Sequence, residues 1–97
     1  MNRWGYILVF DDALGTRKEI QEFLNTRSEV LNWYACMSNA IFLVSDQTAG
    51  SLQQIISEFN GGKGANFIVL DVKTDKNGWL PRKAWEFMNT PKATWEK

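Results

Sequence analysis

The sequence contains no histidine and a single cysteine, Cys36. Without imidazole there is no His general base, no Cys–His nucleophile and no His-ligated zinc. With one thiol no internal disulfide can close, which fits a reducing compartment. A surplus of charge is also absent: Lys plus Arg number 11, Asp plus Glu number 11, and the formal net charge is zero. Proteins that hold nucleic acid or an anionic membrane surface by charge usually carry a basic excess, so the balance argues against both while leaving room for a local patch. The early apolar run, Tyr6–Phe10, is too short for a signal peptide or a membrane span. These absences lead us to expect a cytoplasmic protein with no membrane contact.

What is present suits a folded core. Hydrophobic residues make up 44% of the 97, and they include five Trp and six Phe. That is too apolar for a disordered chain and about the size of one domain, spanning 1–97. A chain this short buries about 65% of its unfolded surface, so a partner surface would add to a modest core.

"WGYILVFDD" (Trp4–Asp12) opens the chain with a strand over Tyr6–Phe10 that runs into two carboxylates. "DDALG" reads as a loop. Thr16-Arg17-Lys18-Glu19 is a capping box, so a helix starts there, with Ile20, Phe23 and Leu24 on its apolar stripe and an end near Thr26–Ser28. Val30–Cys36 and Ala40–Val44 read as two strands joined by Ser38-Asn39, where asparagine tolerates a positive φ. A second helix begins near Thr48, with Leu52, Ile55, Ile56 and Phe59 at helical spacing, and ends at Asn60-Gly61-Gly62. Phe67–Val72 is a fourth strand. Pro81 suits the first turn of a last helix, over about 80–90, with Ala84, Trp85 and Met88 on one face and Pro91 closing it.

The order is β-α-β-β-α-β plus a short C-terminal helix, the ferredoxin-like pattern of an α+β domain with a four-stranded antiparallel sheet. In that topology Asp11, the Ser38-Asn39 turn and Asn66 share one end of the sheet. Asp46 and Asp71 lie at the other end, so the carboxylates form no single cluster within one chain.

The strands do not alternate apolar with polar residues, as they would with one wet face. Tyr6–Phe10, Ile41–Val44 and Phe67–Leu70 are apolar on both sides. Two helices cover one face. The C-terminal helix, about two turns long, looks too small to cover the other, so we expect a symmetric homodimer joined through the sheet faces. The alternative is a single subunit whose tail helix folds over its own sheet.

"YILVFDD", "LNWYACMSNAIFLVSDQTAGSLQQI" and "ANFIVLDVKT", in this order, resemble the small ferredoxin-like subunit of CRISPR adaptation complexes. Closer still is the likeness to short SinR-like proteins, with Trp33 before a hairpin at Ser38–Val44 and a late Gly78-Trp79-Leu80-Pro81. The resemblance covers about residues 5–90. It implies a homodimer in which an Asp ending the first strand faces its symmetry mate. It also implies either a Mg²⁺- or Mn²⁺-dependent endonuclease or a non-catalytic scaffold for nucleic acid. Only Asp11 carries over as the catalytic position, and Ser38 corresponds to a small polar residue near the hairpin. The zero net charge departs from the DNA-binding members of that family.

Oxygen ligands from Asp11 and Asp12 of two chains would hold Mg²⁺ or Mn²⁺ at a dimer axis and activate water against a phosphodiester. The competing role of an Asp after a strand is to accept hydrogen bonds from loop amides. Arg17 and Lys18, in the first turn of helix one, would contact a nucleic-acid phosphate, or else serve as solvated charges. Trp33, Tyr34 and Trp79 would stack on bases, or belong to a core or interface. "GGKG" (Gly61–Gly64) follows a helix and is no phosphate loop. Lys73, Lys76, Arg82 and Lys83 would form a basic spot, diluted by Asp75 and Glu86. No residue pattern indicates an organic cofactor. An RNA-recognition domain shares the topology, but the strands lack its aromatic signature. A non-catalytic dimerisation or interaction module therefore stands beside the nuclease as the alternative.

Overall fold

Two threonines start the principal helices. Thr16 accepts from the Glu19 amide while the Glu19 carboxylate accepts from the Thr16 amide, which completes the capping box of α1 (Arg17–Asn25). Thr48 caps α2 (Ala49–Asn60) by accepting from the Ser51 amide. Gly61, at φ 47°, ends α2 in a conformation that favours glycine. The computed structural model describes residues 3–73 and 75–91. Its strands are β1 (Trp4–Phe10), β2 (Val30–Met37), β3 (Ala40–Ser45) and β4 (Phe67–Asp71), and α3 (Arg82–Asn89) follows. A 3-10 turn, Asp12–Leu14, occupies the expected loop after β1.

The chain is α+β, with one four-stranded sheet in the order β2-β3-β1-β4 and every neighbouring pair antiparallel. Tyr6, Leu8 and Phe10 of β1 and Ile41 and Leu43 of β3 point to one face. There they meet Ile20 and Leu24 of α1 and Leu52, Ile55 and Ile56 of α2. The intervening residues point the other way, as strand geometry requires. Phe42 and Val44, with Val72 just after β4, pack on Ala84, Phe87 and Met88 of α3. Phe42, Phe87 and Tyr34 form a triangle of rings with centroids 6.2–6.5 Å apart. Gly5 lets this layer close, because a Cβ there would sit 2.8 Å from the Val72 side chain.

The C-terminal helix therefore does cover much of the second face, contrary to the expectation that it was too small. Its apolar stripe is Ala84, Phe87 and Met88 rather than Ala84, Trp85 and Met88, and Trp85 is half-buried. The large Phe87 ring reaches β3 and β2 together. Eight helical residues extend only about 12 Å, and four strands span about 14 Å between outer axes. Coverage is accordingly partial: Val9 of β1 and Ile68 of β4 stay 39% and 56% exposed.

The hairpin turn also differs from expectation. No described residue other than glycine has a positive φ, so Asn39 is not in its turn to supply one. Its side chain instead donates to the Phe10 carbonyl at 3.0 Å and to Asp12 at 2.9 Å. Register skips in β2, between Val30 and Asn32 and between Tyr34 and Met37, absorb the extra residues of that strand. Among the described residues no helix is long and apolar enough to cross a membrane.

Two outcomes follow from this packing. Phe87→Ala removes a fully buried ring and should cost about 3 to 5 kcal/mol in urea unfolding; a loss under about 1 kcal/mol would show that α3 is not docked. The Glu19 carboxyl is held below its ordinary 4.5, first by the Thr16 amide and then by the Thr16 hydroxyl. A lowered folded pKa gives stability that is present above the ordinary value and fades as pH falls through the lowered one. Thermal midpoints measured from pH 6 to pH 3 should therefore fall less steeply in Glu19→Gln than in the wild type.

Candidate functional site

The end of β1 is tied down on both sides. Its neighbours β3 and β4 each bring an asparagine to it, Asn39 from the hairpin turn and Asn66 from just before β4. The Asp11 amide donates to the Asn66 carbonyl at 3.0 Å. In return, one Asp11 carboxylate oxygen accepts from the Asn66 amide at 3.1 Å and from its side chain at 3.3 Å. The other oxygen accepts from the Ala13 amide at 3.2 Å, capping the 3-10 turn. Asp12 turns to the opposite side and takes the Asn39 side chain. Adjacent in sequence, the two carboxylates thus serve different neighbours.

They also face different surfaces. Asp11 borders a shallow depression with Val9, Phe10, Asn66, Phe67 and Ile68. Asp12 borders an open groove with Thr16, Arg17, Lys18, Ser38 and Asn39. Arg17 and Lys18 are exposed at the start of α1, and Arg17 donates to the Met37 carbonyl at 3.2 Å. The structure thus joins Asp12 with Arg17, Lys18 and Ser38, and sets Asp11 with Asn66 and two exposed apolar side chains. Among the described residues no three of the Cys, Asp and Glu side chains converge as metal ligands within one chain.

Most of the remaining candidates have structural partners. Asp71 accepts from the Lys73 amide and Asp46 from the Gln47 side chain, both at the far end of the sheet. There the Tyr6 hydroxyl donates to the Gln47 carbonyl at 2.7 Å. Its pKa is pushed up, first by burial and then by the Asp71 charge. Trp33 packs against the helix-covered core and donates to Asn25 at 2.8 Å, and Tyr34 belongs to the aromatic triangle. Cys36 is a half-buried strand residue. Arg82 pairs with Glu86 at 3.3 Å and Lys83 lies 5.3 Å from the Tyr34 ring centre. Lys63 of "GGKG" is a strap: its ammonium donates to the Leu14 carbonyl at 2.9 Å and lies 3.6 Å from the Phe59 ring centre. Trp79 is 99% exposed.

Sequence reasoning put Asn39 and Asn66 at the right end of the sheet but missed what they do. A polar amide at the end of each strand flanking β1 was the available signal. It also missed that Val9 and Ile68 would be left open, which depends on how far α3 reaches. The fold and this site define an α+β protein with an amide-clamped strand end beside an apolar patch. The chain matches no family model, no curated protein and no solved structure.

Asp11→Asn keeps an acceptor for Ala13 but turns an amide donor toward the two donors of Asn66. This should cost about 1 kcal/mol, seen as a lower thermal midpoint. An unchanged or raised midpoint would mean that Asp11 is a strained ligand carboxylate rather than a clamp.

Proposed function

We propose that this chain is a ferredoxin-like interaction module, cytoplasmic and without catalysis of its own, that works as a homodimer joined through the uncovered part of its sheet face. The observation that carries this reading is the pairing of Val9 with Ile68 across β1 and β4, both exposed on the face that α3 only partly covers. The element order and the strand order β2-β3-β1-β4 support the ferredoxin-like assignment. The full set of amide donors on Asp11 supports a structural role for that carboxylate.

A second reading is favoured by one observation: Asp11 borders the same depression as Val9 and Ile68. A two-fold axis at that spot would set two Asp11 carboxylates against each other, as in the CRISPR adaptation subunit that the sequence resembles. With Asp12, they would then hold Mg²⁺ or Mn²⁺ for phosphodiester hydrolysis, with Arg17 and Lys18 on the nucleic-acid phosphate. Loading that site requires the Asn66 and Ala13 amides to give up Asp11, and Asp12 to leave Asn39 and turn from the opposite side.

Light scattering at micromolar concentration should give about twice the 11.2 kDa chain mass, and Ile68→Asp should return it to the monomer. A wild type that stays monomeric overturns the homodimer. Millimolar Mn²⁺ should leave the wild-type thermal midpoint unchanged. A rise in wild type that Asp11→Asn abolishes would decide for the metal site instead.

A further inference from the structure

Among the described residues, three large hydrophobic side chains are exposed, Val9, Ile68 and Trp79. Val9 and Ile68 are neighbours across β1 and β4. On the α3 face, Ile7 pairs with Leu70 and, two residues further along, Val9 pairs with Ile68, so an apolar stripe runs along β1 and β4. At one end, Ile7 and Leu70 form the floor of an apolar cleft of about 200 Å³, whose rim includes Lys76, Asn77 and Leu80. Trp79 sits in that rim segment. At the other end, Val9 and Ile68 lie bare beside Asp11. The stripe thus ends at one side in Lys76 and the short segment between Asn77 and Leu80 that carries the exposed Trp79, and at the other in an exposed apolar pair and a carboxylate.

From this polarity, and resting on the homodimer proposed above, we infer that two copies pack their stripes antiparallel, so that Trp79 of each seats on Val9 and Ile68 of the other. A two-fold axis lying between the two sheets, parallel to them and crossing the stripe at right angles near its middle, performs this exchange twice, as an isologous interface must. One operation covers all three exposed hydrophobic side chains. It also sets Lys76 of each copy opposite the partner's Asp11, so unlike charges meet at both ends. An axis at the Asp11 end would place like charges together and leave both Trp79 rings in water. A tryptophan seated on an aliphatic patch is the usual kind of anchor at an interface centre. Asp11 keeps its amide partners in this arrangement, because its carboxylate meets Lys76 as an exposed charge.

The test is disulfide mapping of the full chain with Cys36→Ser as background. Ile68→Cys and Trp79→Cys variants are oxidised alone and as an equimolar mixture. We expect the mixture to yield a cross-linked dimer at least tenfold faster than either variant alone. Trp79→Ala, without any cross-link, should weaken dimerisation at least tenfold by sedimentation. Rapid cross-linking of Ile68→Cys with itself would overturn the arrangement and put the axis beside Asp11. A wild-type dimer with no preferred cross-link in the mixture, or with full affinity in Trp79→Ala, would overturn the arrangement alone. A wild-type chain that remains monomeric would remove the homodimer and the arrangement together.

Discussion

β3 is buried on both of its faces, and the rest of the structure answers to that. All six of its residues, Ala40–Ser45, are buried. A strand in that position needs a strand on each edge and a hydrophobic layer on each side. β2 and β1 supply the edges. The helices α1 and α2 supply one layer, over Ile41 and Leu43. The other layer, over Phe42 and Val44, falls to α3. Even the polar end of the strand is closed: the buried Ser45 hydroxyl donates to the Glu29 carbonyl at 2.6 Å and accepts from the Gln47 amide at 3.0 Å.

Because α3 is spent on β1, β2 and β3, little of it is left for β4. That strand is an edge of the sheet and only five residues long. Its Ile68 and the facing Val9 are consequently the cost of economical coverage in a 97-residue chain. A small domain has too little helix to wrap a sheet that is apolar on both sides, and a second copy is the simplest remaining cover. In the proposed homodimer, assembly would follow from core layout, and the sign of charge at each end of the open stripe would select its direction.

The clamp at the end of β1 shows how one residue type admits two chemistries. A carboxylate at a strand end is a ligand when its oxygens are free, and a turn former when amides occupy them. Asn66 and Ala13 occupy those of Asp11. Asn39, by reaching the Phe10 carbonyl and Asp12 at once, draws the other carboxylate to the opposite side. An aspartate pair that reads in the sequence as a metal-ligand pair is split by the two strands flanking β1.

Much was legible in the residues themselves. Thr16 with Glu19, Thr48, and Gly61 after Asn60 set where α1 and α2 begin and end, because caps are satisfied within three or four residues of chain. The unbroken apolar runs set the strands, and their two-sided character demanded a cover on each face. The coexistence of Asp11, Asn39 and Asn66 at one sheet end followed from element order alone. What tertiary structure decided was everything that depends on reach. Phe87 displaced Trp85 from the buried stripe because the ring had to meet Phe42 and Tyr34, two strands that lie far off in sequence. Asn39 and Asn66 became side-chain partners of adjacent aspartates only once β3 and β4 had paired with β1. Val9 and Ile68 remained open because α3 covers β1 at Gly5 and Ile7 and stops short of the Asp11 end of the sheet, a reach that no local pattern of residues contains.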